Sequence, residues 1–289
     1  HVQDIDLDVA PAPEPPATPH VHPSSAQASQ LPHLLTVAGL LDSSVEADTE
    51  GPAVFADGSE WTYSSLSARS AQLGRYLVSR GIGPGDRVRV DLPWSADCVT
   101  ALWAVWCAGA AVVSWAPGNV AVPAAAARIV LGTDCSGTDT DMVSIVFDSS
   151  VVAEAVASQP SSPIGYASRT RALSSEDPAL VVGHGDIVLS QRELVSLASR
   201  YTTDWTVDYD SRLIVEGRSS ITSSSSWECL AVLVAASAGA EISVARIQQD
   251  DGTTHAVVPS TRVAEVIDLG VETVVSTDSD RGAPWSSGS

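Results

Sequence analysis

With 289 residues, 44% of them hydrophobic, the chain holds enough apolar material for one large buried core or two small ones. Fifteen basic residues against 35 acidic ones give a formal net charge of -20, a field that repels phosphate backbones and anionic membranes and counts against nucleic acid or membrane as partners. All fifteen basic residues are arginines, and no lysine occurs anywhere.

Residues 1–30 read as a linker. Within it, 11–30 are rich in Pro, Ala and Ser, with Val21 the one larger apolar residue, and cannot bury enough surface to fold alone. His20, His22 and His33 lie in or beside this tract and are read as solvated, so no metal is expected. From Leu31 onward strand-like and helix-like stretches alternate, which predicts an α/β fold of layered, mostly parallel sheets with flanking helices. Two subdomains are expected, 31–175 and 176–289.

Ser64 can cap a helix that places Leu66, Leu73 and Leu77 on one face and stops at Gly81; Arg87–Leu92 then alternates as a strand. The pattern repeats with Ser95 capping a helix through Val99, Leu102 and Trp106 to Gly109, followed by the apolar strand Ala110–Trp115 and the breaker Pro117. Leu66, Leu73, Leu77, Val88, Val90, Leu102, Val105 and Val112 are expected to be buried together. Further strands are predicted at 143–147, 179–182, 211–216, 240–245, 254–258 and 271–276, with helices near 121–131, 150–157, 190–202, 226–238 and 260–268. Ser190 and Glu193 form a capping box at the start of the helix near 190.

Cys98, Cys107, Cys135 and Cys229 are scattered without a CxxC pair, and three lie in apolar stretches, so they read as small hydrophobes, with neither disulfides nor zinc expected. No basic segment precedes an apolar stretch at the N-terminus, and the apolar runs near 99–115 and 227–240 are interrupted before membrane-spanning length. The expected location is the cytoplasm.

Three stretches in order carry a resemblance: the run from Pro52 to Ala56, Trp61-Thr62-Tyr63-Ser64-Ser65-Leu66, and the run from Arg80 through Gly85-Asp86-Arg87-Val88. Leu92-Pro93-Trp94-Ser95, Ala101–Val105 and Ala108–Pro117 continue it at the same spacing. Together they resemble the "PAV…LTYAEL…ARGVGPGDRV…LPRS…ALLAVLKAGAAYVPLDP" opening of adenylate-forming enzymes, in particular nonribosomal peptide synthetase adenylation domains. Val2–Leu7 and the Pro-rich tract look like the seam after a condensation domain. In the second half, Leu189–Leu194 resembles "VSHRGL", Ser226-Trp227-Glu228 resembles the start of "VWEIFLALLSGATLVIA", and Thr254–Ser260 resembles "THLFAPPS".

The departures fall where the family does its chemistry. The resemblance implies a Ser/Thr/Gly-rich phosphate loop ending in Pro-Lys-Gly after a strand like Asp177–Val182. Only Gly183, His184, Gly185 and Asp186 stand there, with no lysine and with a carboxylate where a triphosphate would lie. The Ser-rich run near 219–226 lacks the glycines and lysine of a phosphate loop and reads as a plain loop and helix cap. The ammonium-anchoring aspartate of "FDxS" aligns with the neutral Ser223. The family's "YGPTE", "TGD" and late catalytic lysine are expected beyond Thr273–Ser276, and the chain reaches Ser289 without them.

The expectation is a truncated, catalytically inactive adenylation-like domain with no catalytic residues and no cofactor. It would act as a structural or docking element beside a condensation or carrier domain. The alternative is an AMP-binding, ligase-like enzyme that activates a carboxylic or amino acid through an altered site, with His184, Asp186 and His255 as its candidates.

Overall fold

The computed structural model describes residues 36–56, 58–114, 129–132, 143–147, 149–165, 168–182, 187–215, 226–244, 252–258, 262–269 and 271–276. Helix α1 (Val37–Ala47) is capped by Thr36, whose hydroxyl accepts the Gly39 N–H. Strands β1 (Pro52–Ala56) and β2 (Ser59–Thr62) form a hairpin, with Gly58 at φ 73° supplying the left-handed turn. Helix α2 (Tyr63–Ser79) follows, and its cap is Thr62 rather than Ser64. The Thr62 hydroxyl accepts the Ser65 N–H, while the Ser64 hydroxyl lies 2.9 Å from that of Thr62.

Strand β3 (Arg87–Asp91), helix α3 (Ala96–Ala108) and strand β4 (Ala111–Ser114) form the next winding. Here the Ser95 hydroxyl accepts the Cys98 N–H and Gly109 closes the helix at φ 91°, as the sequence predicted. Strands β5 (Ile129–Gly132) and β6 (Val143–Val146), helix α4 (Ser150–Ala157), strands β7 (Pro178–Val182) and β8 (Ile187–Ser190) and helix α5 (Gln191–Asp204) come next. The chain continues with β9 (Arg212–Val215), α6 (Ser226–Ala238), β10 (Glu241–Ser243), β11 (His255–Val258), α7 (Val263–Asp268) and β12 (Thr273–Ser276).

One expected helix is corrected. Near 121–131, residues 129–132 are strand, running parallel to β3 with Val88 opposite Ile129. The apolar run Ile-Val-Leu, led by two β-branched residues, suits a pleated ladder, and the neighbouring strand supplies the partner that local periodicity does not reveal. Residues 121–128 of that expected helix lie outside the described residues, as do the linker 1–30, with His20 and His22, and His33 beside it.

The strands form two six-stranded sheets, ordered β12-β11-β9-β10-β1-β2 and β6-β5-β3-β4-β7-β8. Every pairing is parallel except β1–β2 and β7–β8, which place one antiparallel strand at an edge of each sheet. The early β1–β2 hairpin joins the sheet built from 212–276, and β7–β8 joins the sheet built from 87–146. The chain therefore crosses between sheets in both directions.

Helix α3 touches β3 and β4 of one sheet and β1 of the other, and all its residues except Asp97 and Cys107 are buried. A single apolar cluster consequently unites both sheets, and Leu66, Leu73, Leu77, Val88, Val90, Leu102, Val105 and Val112 all lie within it. Trp106 sets its indole edge-to-face on Trp103 and donates Nε1–H to the Ala179 carbonyl at 2.9 Å, fastening β7 to this core.

Candidate functional site

Parallel sheets present ligand sites beyond the carboxyl ends of their strands, so the exit of β7 is the first place to look for chemistry. Strands β7 and β8 pair to the very ends of that exit, with Val182 opposite Ile187, and four residues close the hairpin. Those residues, Gly183, His184, Gly185 and Asp186, lie outside the described residues, as does Ser223.

The frame around the exit is well defined. Val182 is buried beside Ser114 of β4, its partner in register. At the other end of the hairpin Pro178 lies opposite Ser190, whose hydroxyl accepts the Glu193 N–H while the Glu193 carboxylate accepts the Ser190 N–H. The Ser190 N–H, at 2.9 Å, and then the Ser190 hydroxyl, at 2.8 Å, donate to the Glu193 carboxylate and hold it below its ordinary range. Arg192, the arginine nearest in sequence to the exit, pairs instead with Glu176 at 3.0 Å. It therefore stands at the amino end of β7, a strand's length from the turn, or roughly 13 Å for four residues. Asp177 is held at the same end by two hydrogen bonds from Arg171, at 2.6 and 2.8 Å, and its carboxyl is depressed chiefly by them.

His255 does not join a site with this exit. It begins β11, at that strand's amino end and in the other sheet, and is buried. Its Nε2 lies 2.8 Å from the Trp205 carbonyl and its Nδ1 2.7 Å from the Thr254 hydroxyl. Both ring nitrogens are thus engaged by the scaffold.

A buried charged cluster that sequence reading did not single out lies nearby, also at strand amino ends. Arg212 of β9 donates Nε–H to Glu241 of β10 at 2.5 Å and lies over the Phe55 ring at 5.2 Å. Burial pushes the Glu241 carboxyl up, and Arg212 pulls it partly back. The Tyr63 hydroxyl donates to the Ala240 carbonyl at 2.6 Å, and burial together with the Glu241 charge raises its phenol. A charged residue at the head of each of two short strands, Arg212 and Glu241, was the available signal. At the amino ends the cluster braces strands; it does not face a ligand crevice.

Two of the described cysteines, Cys107 and Cys229, are held as thiols. Burial pushes the Cys107 thiol up to about 12 and raises that of Cys229 as well, so neither supplies a thiolate. Among the described residues no group of three or more His, Cys, Asp or Glu is placed to hold a metal ion, and no helix is long and apolar enough to cross a membrane.

Residues 41–133 match the AMP-binding enzyme family model. Over 268 residues the chain is 29% identical to CymA of Salinispora arenicola, a probable non-canonical nonribosomal peptide synthetase, covering 84% of this chain and 3% of that much longer protein. VinN in complex with L-aspartate has the same fold, with a TM-score of 0.66 and 21% identity over 83% of this chain and 71% of VinN. An artificially fused adenylation–PCP di-domain from Klebsiella oxytoca, NpsA-ThdA, superposes at a TM-score of 0.64 with 16% identity, over 83% of this chain and 48% of the fusion. The chain is therefore adenylation-domain-like, with the N-terminal α/β fold of adenylate-forming enzymes. Its sequence relatives include nonribosomal peptide synthetases, of which it spans only a few per cent.

Proposed function

We propose that this chain is a catalytically inactive adenylation-like core that serves as a structural or docking element in a nonribosomal peptide synthetase system, with a condensation or carrier domain as its partner. The observation that carries the reading is the register of β7 and β8. With Val182 opposite Ile187, four residues span the place where the family resemblance puts a phosphate-wrapping loop. One of them is Asp186, and no lysine exists in the sequence to neutralise a phosphate there. A lost charge-assisted contact costs about 1.5–3 kcal/mol and each lost backbone donor about 1 kcal/mol, enough together to move a micromolar nucleotide site toward millimolar affinity. Arg192, turned to Glu176, does not replace the missing cation. Retention of the full core beside a shortened exit supports a role that uses the surface of the fold.

The test is calorimetry with ATP and magnesium at low salt, together with carboxylate-dependent exchange of pyrophosphate into ATP. Both are measured on this chain and on the longest protein that carries it. No saturable binding is expected. A dissociation constant below about 100 μM, near -5.5 kcal/mol, would return the chain to the acid-activating ligases.

A further inference from the structure

Residues 149–165 leave the edge strand β6 and run back over the outer side of α2. Helix α4 within this stretch has no fully buried residue, and Val151 is 74% exposed. Val152, Ala155 and Val156 rest against the core only partly buried, and the single buried side chain of the stretch is Ile164. Ile164 sits in a notch at Gly74, where a Cβ on the glycine would come within 2.8 Å of its Cδ1. Gly74 is therefore the residue that lets this side chain dock.

What holds the rest is a pair of side chains one helical turn apart on α2. Gln72 donates to the carbonyl of Gln159 at 3.1 Å and that of Ala157 at 3.4 Å. Arg75 donates to the carbonyls of Pro160 at 3.2 Å, Ser162 at 2.8 Å and Pro163 at 2.9 Å, and to the Ser162 hydroxyl at 3.0 Å. The two prolines carry no N–H, and the segment turns three carbonyls and the Ser162 hydroxyl toward Arg75, a set of acceptors that a guanidinium with several donors in one fork matches. Anchorage through polar contacts at the surface, with one fully buried apolar side chain and a few half-buried ones beneath, characterises units that open below the global unfolding free energy.

We propose that residues 149–165 form a clasp that opens as one unit while the two sheets stay closed, with Arg75 as its latch and Ile164 as its foot. Opening frees the Arg75 guanidinium and uncovers the Gly74 notch on α2. The seam between α2 and α3 beneath it remains held by its own buried contacts.

Hydrogen exchange followed by mass spectrometry on the protein that carries this chain tests the proposal. Amides of 150–165 are expected to exchange together, at least about tenfold faster than those of α3 and β3. Arg75→Ala should accelerate them by at least about a further tenfold and leave α3 and β3 unchanged. Arg75→Lys, which keeps the charge but not the fork, should fall between. Arg171→Ala breaks an ion pair outside the clasp and should leave 150–165 as in the wild type. Equal acceleration of 150–165, α3 and β3 in Arg75→Ala would overturn the proposal, as would no change in 150–165. If Arg75→Ala does not fold, the wild-type profile decides, and protection of 150–165 equal to that of α3 refutes the clasp.

Discussion

The winding from Thr62 to Ser114 and the hairpin from Pro178 to Ser190 share one sheet and one core but differ in what constrains them. In the winding, cap, apolar stripe, glycine stop and alternating strand agree with one another, and the apolar stripes of both helices lie in the core. In the hairpin, the strand is equally well packed, and Trp106 fastens its carbonyl at Ala179. Its exit, however, is only four residues long. Packing acts on the strand and not on the connection that follows it, so a core of this kind tolerates connections of different length.

The comparison is broken most directly from the packed side. Leu77, on α2, is fully buried within the apolar cluster that unites the two sheets. Leu77→Ala should destabilise the protein by about 2–5 kcal/mol in urea unfolding, since the cavity lies where the surroundings cannot collapse. A change within error would mean that the winding is held by something other than this stripe.

A second expected effect separates a carboxylate raised by burial from one depressed by its arginine partner. Glu241 is raised by burial, so its folded-state pKa exceeds the unfolded value near 4.5. Its contribution to stability is therefore complete below that value and is lost as pH rises through the folded pKa. Asp177, depressed by Arg171, behaves oppositely: its contribution is present above about 3.8 and is lost as pH falls below it. Glu241→Gln, whose amide oxygen can still accept from Arg212, should flatten the fall in urea midpoint between pH 4.5 and neutrality. An unchanged slope would show that Glu241 ionises in the fold without cost.

The smallest effect is expected at the hairpin exit. Doubling the connection 183–186 to eight Gly- and Ser-rich residues should cost only about 0.6 kcal/mol, the loop-closure penalty of one doubling. A loss approaching that of Leu77→Ala would show that the short turn is part of the core's stability and would remove the distinction between the two regions.

Elements whose signals lie within a few residues were legible from the sequence. The Ser95–Gly109 helix, the Ser190–Glu193 capping box and the helix from Ser226 to Ala238 match the structure closely, because caps and apolar periodicity are local properties of the chain. The α1 helix went unread. So did the β1–β2 turn, although Asp57-Gly58 is a recognised hairpin pair.

Strand Ile129–Gly132 needed β3 beside it before its apolar run took on a meaning. Only the tertiary structure sent β1 into the sheet of β10, with Val54 opposite Ile242, and joined the Val37 N–H to the Gln191 side chain across 154 residues. It also turned Arg192 away from the β7 exit and set His255 at the amino end of β11, in the other sheet from that exit. The absence of lysine and the brevity of 183–186 were visible in the sequence alone, because composition and chain length need no partner. Which residues meet was decided by the fold, because contacts between distant segments depend on sheet order and register, and neither leaves a local trace in the chain.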